Sequence, residues 1–363
     1  MKSDLILRED DFCLEFFNGD ENVYKRGSSL REELLSDDNI YVLQEIIIVP
    51  PEMINEANNF SAMSIAPQRS NKPLVLIGSP ELPVQYAAVT AKTKSKAIVA
   101  KSDTGIKIAT DDINVLYSAP ILGGQVNIGD SFIDAFYRIS EILNSFQMKE
   151  AEIARTWLFM RDILNDYEAL NTAREKFFAK WHSPVNHFLP ASTGIQNRII
   201  GNEILAFQLC AFTGDNVAIK QIPSPLQNEP TAYGKLFSRA VVVKFPRSKL
   251  LLISGTASIN KAGDSVYIGD FNSQIKFTLE IISAILKQEG CDYSNIAQAI
   301  IYLKRSEDIR SCIAMLDKMG FPRDRALFQL GVDICRDNLL CEIEATAVIN
   351  KISLPMLQLF ERF

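Results

Sequence analysis

Histidine is scarce in this sequence, and its cysteines lack the spacing of a metal site. The 363 residues include only two histidines, His182 and His187, and six cysteines that form no CxxC pair. A structural zinc site needs about four such side chains held together, so we expect no metal and no other cofactor. Widely spaced cysteines are typical core residues in a reducing compartment, and we expect them to be free thiols.

An excess of basic charge and long apolar runs are also missing. The 38 Lys and Arg residues face 44 Asp and Glu residues, which gives a net charge of -6. Binding a polyphosphate needs a basic surface, so nucleic acid is not an expected partner. No apolar run reaches the roughly 18 residues of a membrane span, and the first residues lead into an acidic stretch rather than a signal-peptide core. These absences predict a cytoplasmic protein that contacts no membrane.

The chain is long enough for two globular units. At roughly 100–200 residues per domain, its length indicates about two domains. Its 47% apolar and 23% charged residues are typical of a globular protein. Residues 1–72 are poorly patterned apart from a strand-like run at 41–49, and we interpret them as an N-terminal lead-in segment. Clear patterning after residue 73 predicts one module over 73–215 and a second over 230–363.

The two modules share one order of elements, β-β-α-β-α-β, with a Gly-Asp pair before the first helix of each. In the first module the predicted elements are strands at 74–78 and 114–118, a helix after 129–130, a strand at 154–160, a helix at 167–181, a turn at 190–195 and a closing strand at 204–212. In the second they are strands at 240–245 and 250–255, a helix after 269–270, a strand at 296–303, a helix at 307–319 and a closing strand at 339–349. The repeated order predicts an internal duplication in an α/β (α+β) protein.

The closing strand of the second module carries two carboxylates. Apolar and polar residues alternate from 339 to 344, which places Glu342 and Glu344 on one face of the predicted strand. A charged pair on a strand face is usually solvated. However, aligning the closing strands on Ala345 and Ala211 sets Glu342 opposite Gln208, so the first copy lacks the charge. This asymmetry favours one working site, in or beside the C-terminal half.

Several motifs in this chain resemble known families. The segments 254–259, 301–304 and 341–345, together with the helix after 269–270, look like the YjgF/Rid fold. The segments 155–158, 162–167, 170–174, 177–178, 189–195 and 237–240 look like the chorismatases, which are two-module relatives of that fold. The resemblance spans about residues 110–350. It implies two tandem YjgF/Rid-like (chorismate-mutase-like) modules in pseudo-symmetric arrangement, the first non-catalytic and the second carrying the active site.

Chorismatases remove pyruvate from chorismate, so the resemblance implies chorismate as the substrate. The acid of the family is a glutamate on the closing strand, and it matches Glu342. Such an acid must protonate the methylene carbon of an enolpyruvyl ether. For Glu342 to do so near pH 7, burial must raise its pKa from about 4.3 toward neutrality.

The resemblance also assigns a role to a cysteine. In the branch that forms 3-hydroxybenzoate, a pocket cysteine lies seven residues before the acid, and Cys335 holds that place before Glu342. The alternatives are a buried thiol that only fills space and the hydrolytic branch, whose product is a dihydroxycyclohexadienoate. We favour 3-hydroxybenzoate as the product.

Chorismate also carries two carboxylates, which need cationic partners. Arginine suits them best because its planar fork makes two hydrogen bonds to one carboxylate. The candidate substrate-binding residues are Arg239, Tyr233, Arg198, Arg155, Lys304 and Arg336, together with Gly255 and Ala257 of the Rid-like motif. Where the family tends to have arginine after Tyr-Leu, this chain has Lys304 followed by Arg305.

Two other functions remain open at this stage. A Rid-type enamine or imine deaminase needs a carboxylate-binding arginine on the strand before the closing one, and Leu327 holds that place here. A non-catalytic binding protein on the same scaffold is the third possibility. Rid relatives are commonly trimers with sites between subunits, and a duplication can replace one such interface. We therefore expect a monomer with its site near the junction of the halves.

Overall fold

In a computed structural model the described residues of the protein form three mixed β-sheets and four α-helices. The structure describes residues 2–19, 37–54, 69–94, 97–123, 128–179, 188–199 and 203–350. The N-terminal sheet contains β1 (Lys2–Arg8), β2 (Phe12–Gly19), β3 (Ile40–Val49), β4 (Leu74–Ile77) and β5 (Gln85–Thr93). The middle sheet contains β6 (Ile98–Ser102), β7 (Gly105–Ala109), β8 (Asn114–Ser118), β9 (Ile121–Gly123), β10 (Ile153–Met160) and β11 (Ala191–Gln196). After β12 (Arg198–Ile199), which pairs with β4, the chain returns to the middle sheet as β13 (Leu205–Thr213).

The C-terminal sheet contains β14 (Ala218–Ile222), β15 (Ala240–Lys244), β16 (Ser248–Ala257), β17 (Ile296–Leu303), β18 (Ala326–Leu330) and β19 (Cys341–Asn350). Helices α1 (Ile128–Ser145) and α2 (Ile163–Ala179) belong to the middle module, and α3 (Phe271–Gln288) and α4 (Ile309–Met319) to the C-terminal one. No helix among the described residues is long and apolar enough to cross a bilayer.

The helices bury the apolar faces that their sequences present. In α1 the buried positions include Phe132, Ala135 and Ile139, spaced three or four residues apart on one face. Helix α3 begins where predicted because the side chain of Asp270 accepts a hydrogen bond from the backbone nitrogen of Ser273 at 3.1 Å. Both helices pack against their own sheets, which leaves the opposite sheet faces to meet one another.

The same strand order occurs in all three sheets. The middle sheet runs β6-β7-β8-β13-β10-β11 and the C-terminal sheet runs β14-β15-β16-β19-β17-β18, while the N-terminal sheet runs β1-β2-β5-β3-β4 and adds β12 beyond β4. The pairs β3 and β4, β10 and β11, and β17 and β18 are parallel, and the closing strand of each sheet is antiparallel to both neighbours. A bulge also recurs at an equivalent place, just before Gln44, Arg155 and Gln298. The molecule therefore contains three related sheets, of which sequence analysis found two.

This architecture confirms the tandem modules and corrects their N-terminal limit. Residues 1–72 are not only a lead-in segment, because β1, β2 and β3 build a sheet. The predicted boundary at residue 73 falls inside that sheet, since β4 and β5 both pair with β3. The connections before and after β3 contain residues 20–36 and 55–68, which lie outside the described residues.

Several local predictions also differ from the structure. Residues 190–195, predicted as a turn, are mostly strand β11, which pairs in parallel with β10. Helix α2 begins at Ile163 rather than at 167, and β19 begins at Cys341 rather than at 339. The alignment of the closing strands was displaced by two residues, because an alanine match does not fix strand pairing. Counted from the bulges, Glu342 matches Ala206 and Glu344 matches Gln208.

Candidate active site

Glu342 is a buried carboxyl group on the closing strand of the C-terminal sheet. Its strand partners are Ala257 on β16 and Tyr302 on β17, and only 4% of the residue is exposed. The carboxyl group lies against the backbone of Gly255, where an added Cβ would stand 2.0 Å from its Oε1 atom. Glycine at this position therefore makes the space that the Glu342 carboxyl occupies.

Burial raises the pKa of Glu342 to about 8. The neighbouring Glu344 raises this pKa further, while the positive charge of Arg239 lowers it. Glu342 is therefore mostly protonated at neutral pH, and it can donate a proton to a substrate that enters its pocket.

The Glu342 pocket lies between the middle and C-terminal sheets, at the junction expected from the sequence. The middle module and the C-terminal module each supply part of its lining, which consists of Tyr167, Leu170, Arg174, Ser192, Gly194, Phe237, Gly255, Cys335 and Glu342. The cavity measures about 40 Å³, which suits a few water molecules. The lining side chains must therefore move before a ring-sized substrate can enter.

Arg174 on α2 supplies a buried cation to this pocket. Its Nη2 atom donates a hydrogen bond to Ser192 Oγ at 2.9 Å, and its guanidinium lies 5.9 Å from the centre of the Phe237 ring. Ser192 is held in turn by Thr156, whose hydroxyl lies 2.9 Å away. Sequence analysis did not select Arg174 as a binding residue. The signal was the chorismatase-like segment 170–174, which ends on it.

Arg239 supplies the second cation near Glu342. Its Nε and Nη2 atoms donate hydrogen bonds to the backbone oxygen of Asn228, and Nη2 also donates to the Tyr233 hydroxyl at 2.8 Å. Its Nη1 atom donates to no described residue. Tyr233 thus positions Arg239 without lining the pocket itself, and the free Nη1 atom is the group that could meet a substrate carboxylate.

Cys335 lines the Glu342 pocket, as its position before the acid predicted. Burial raises the pKa of the Cys335 thiol to about 12, and the charge of Glu342 acts in the same direction. Arg336 and Arg239 lower this pKa only in part. The side chain is therefore a neutral thiol near pH 7, which suits a wall of the pocket better than a nucleophile.

Arg155 does not reach the pocket, because protein groups occupy its guanidinium. The residue is 1% exposed, and its Nη2 atom lies 3.0 Å from Glu344 Oε2 in an ion pair. Nη2 also donates to Thr193, and Nη1 donates to the backbone oxygens of Ile253 and Ala345. The predicted role of Arg155 in substrate binding is thus corrected to one in joining the two sheets at Glu344.

The remaining predicted binding residues lie elsewhere. Arg198 is exposed and lines a different cavity. Lys304 forms ion pairs with Asp333 at 3.1 Å and with Asp337 at 2.5 Å. Ala257 is buried beside Glu342 in the sheet without lining the pocket. Of the predicted set, the structure therefore brings together Glu342, Cys335, Gly255, Arg239 and Tyr233. No three His, Cys, Asp or Glu side chains of the described residues are grouped to hold a metal ion.

Comparison with known proteins agrees with this fold. The family described as Endoribonuclease L-PSP matches residues 227–349, which span the C-terminal module. A 3-hydroxybenzoate synthase of Streptomyces hygroscopicus is 25% identical over 303 residues, covering 75% of this chain and 86% of the relative. The crystal structure of a chorismatase superposes with a TM-score of 0.70 at 16% identity, covering 94% of this chain and all of that one. In its overall fold, its C-terminal family match and its sequence, the chain is therefore similar to the chorismatases.

Proposed function

We propose that this protein removes pyruvate from chorismate, with Glu342 as the proton donor. The observation that carries the proposal is a buried carboxyl group whose pKa is raised to about 8, in a pocket lined by the buried cation Arg174, with the charge of Arg239 nearby. The similarity to a chorismatase structure and to a 3-hydroxybenzoate synthase supports the choice of substrate.

The proposed first step is proton transfer from Glu342 to the terminal methylene carbon of the enolpyruvyl group. The π electrons of the double bond form the new C–H bond, which leaves an oxocarbenium centre at the ether carbon and a carboxylate at Glu342. Oxygen from water or from a substrate hydroxyl then adds to that centre, and its proton returns to Glu342. After addition of water, the new hydroxyl loses its proton to become the ketone of pyruvate, the ether C–O bond breaks, and the ring oxygen takes a proton from Glu342. After addition of the substrate hydroxyl, the ether C–O bond breaks with protonation of its ring oxygen by Glu342. The bond between the ring and the attacking oxygen then breaks, so that this oxygen leaves as the ketone of pyruvate while the ring loses a proton and becomes aromatic.

Arg174 and Arg239 are the proposed partners of the two substrate carboxylates. Arg174 lines the pocket, and Arg239 is close enough to Glu342 to lower its pKa. Both side chains are buried, so their attraction for an anion is screened less than at the surface. Their positions are fixed by Ser192 and by Tyr233, which preorganises the site for a dianionic ligand.

We further infer that 3-hydroxybenzoate is the product, with Cys335 as the wall that directs ring chemistry. The supporting observations are the place of Cys335 in the pocket and the similarity to the 3-hydroxybenzoate synthase of Streptomyces hygroscopicus. We also propose that the chain acts as a monomer, since both walls of the Glu342 pocket come from one chain. The middle sheet then serves as a wall of the site, while the proton donor belongs to the C-terminal sheet.

Pyruvate release from chorismate by the purified protein tests the activity, with Glu342→Gln as the matched variant. The amide cannot donate the required proton, so we expect turnover to fall by about 10²–10⁴-fold. Chromatography of the products identifies the ring compound. Unchanged turnover in the variant would refute the role of Glu342, and ammonia release from imino acids without pyruvate release would instead indicate a deaminase.

The melting temperature of Glu342→Gln across pH is the folding control. The pKa of Glu342 is higher in the folded protein than its ordinary value of 4.5, so the wild-type protein loses stability as pH rises from about 4.5 to about 8. Glutamine does not titrate. We therefore expect the variant to melt at an increasingly higher temperature than the wild type over that pH range.

A further inference from the structure

A second cavity, of about 500 Å³, lies where the three sheets meet at one end of the molecule. The last residues of β4, β11 and β18 line it, one from each sheet: Ile77, Gln196 and Leu330. These three hold equivalent register positions, opposite the last residues of β3, β10 and β17. We name it the axial cavity. It shares no lining residue with the Glu342 pocket.

The axial cavity has cationic side chains at its rim. Arg161 and Arg198 both line it and are both exposed, whereas Glu81 is the one acidic lining residue among the described residues. Arg198 makes no ion pair or hydrogen bond with a described side chain. The guanidinium group of Arg198 therefore favours an anionic ligand, and carboxylates match the fork of an arginine best.

Asn197 gives the cavity a polar group that the protein leaves unused. The residue is 2% exposed, and neither its Oδ1 nor its Nδ2 atom has a hydrogen-bond partner in the described part of the chain. Its backbone nitrogen is bound to the Met160 oxygen, which fixes the residue in place. A buried unpaired amide is unfavourable, so Asn197 is suited to a molecule that offers both a hydrogen-bond donor and an acceptor.

We propose that the axial cavity binds a small hydroxycarboxylate. A carboxylate group would meet Arg198. A hydroxyl group would donate to Asn197 Oδ1, and the Nδ2 atom of Asn197 would donate to an oxygen of the same ligand. This site is independent of the proposed chemistry at Glu342.

Calorimetric titration of the full chain with L-malate tests the site, with succinate as the matched probe that lacks the hydroxyl. We expect saturable malate binding at one site per chain, and binding of succinate and of inorganic phosphate at least about tenfold weaker. Arg198→Ala should weaken malate binding about tenfold or more while pyruvate release from chorismate stays unchanged. Absence of saturable malate binding, or equal binding of malate and succinate, would overturn the proposal.

Asn197→Leu separates a ligand-binding role from a packing role. The variant removes a buried unpaired amide, so we expect a higher melting temperature without ligand and loss of malate binding. A variant that binds malate like the wild type would contradict the assignment. Binding that disappears in Arg174→Ala but persists in Arg198→Ala would place malate in the Glu342 pocket and would equally overturn the proposal.

Discussion

Two interfaces of this molecule are built alike but differ in charge. Where the N-terminal and middle sheets meet, Gln44 donates through Nε2 to Gln208 Oε1 at 3.3 Å. Where the middle and C-terminal sheets meet, Arg155 pairs with Glu344 at 3.0 Å. Gln44 and Arg155 follow equivalent bulges, and Gln208 and Glu344 hold the same register position. At equivalent positions, the fold therefore accepts a neutral amide pair in one interface and an ion pair in the interface that contains the Glu342 pocket.

The position of Glu342, the proposed proton donor, shows the same difference in charge. The residues equivalent to Glu342 are Ala206 in the middle sheet and Gln85 in the N-terminal sheet. Gln85 exchanges two hydrogen bonds with the backbone of Phe328 in the neighbouring C-terminal sheet. Ala206 and Gln85 thus contribute only packing and hydrogen bonds, and Glu342 alone of the three carries a group that can titrate. The charge of Glu344 is connected with this function, because it helps to raise the pKa of Glu342.

Removing one member of the ion pair should have the largest effect on stability. In Arg155→Gln, the Glu344 carboxylate remains buried without its cation, and we expect a loss of about 3–5 kcal/mol in the free energy of unfolding. Urea or guanidinium denaturation measures this loss. Gln44→Ala is the matched control at the amide interface, where we expect about 1–3 kcal/mol because no charge is left unpaired.

The double variant Arg155→Gln with Glu344→Gln copies the amide interface into the site interface. We expect it to recover much of the stability that Arg155→Gln loses, because no buried charge remains without a partner. Trp157, which donates to Glu344 at 3.0 Å, retains an acceptor in the new amide oxygen. If the double variant were as unstable as the single one, the two interfaces would not be interchangeable.

The dependence of kcat/KM on pH in the same double variant tests whether the charge at this interface influences Glu342. In the proposed mechanism Glu342 acts as an acid, so the wild-type kcat/KM should be level at low pH and fall above about pH 8. Removing the charge of Glu344 removes one cause of the raised pKa, and the fall should therefore begin at a lower pH. A profile that coincides with the wild-type profile would mean that the Arg155–Glu344 ion pair does not influence the pKa of Glu342.

The smallest expected effect is on product composition. In Cys335→Ala the pocket loses a neutral thiol and gains space, so proton donation should continue while the ring products shift from 3-hydroxybenzoate toward the dihydrodiol or other hydroxybenzoates. Chromatography of the products at equal pyruvate release measures the shift. An unaltered composition would mean that Cys335 contributes only packing.

The sequence was informative where local pattern controls structure. Alternation near the end of the chain placed Glu342 and Glu344 on one face, and the Asp270 cap marked the start of α3. It was less informative where distant segments meet. Arg155 looked like a free cation because its partners Ile253 and Glu344 lie on other strands far along the chain.

The third sheet was missed for a related reason. The N-terminal sheet is recognised as a copy of the others by its strand pairing, by the position of its bulge and by its parallel pair of strands. All three features depend on contacts between segments that are distant in the sequence. Strand pairing in the structure fixes the register, and it moves the counterpart of Glu342 from Gln208 to Ala206. The missed cation, Arg174, shows the same limit, because a helix residue becomes part of a site only through the strand it packs on.

Because the three sheets belong to one chain, the residues at each interface between them can be substituted independently. In a symmetric trimer every substitution appears at all interfaces at once, so a site cannot be altered without altering its copies. Here each junction can vary alone, and Ala206 and Gln85 mark two further places where a carboxylic acid could be introduced without touching the existing one.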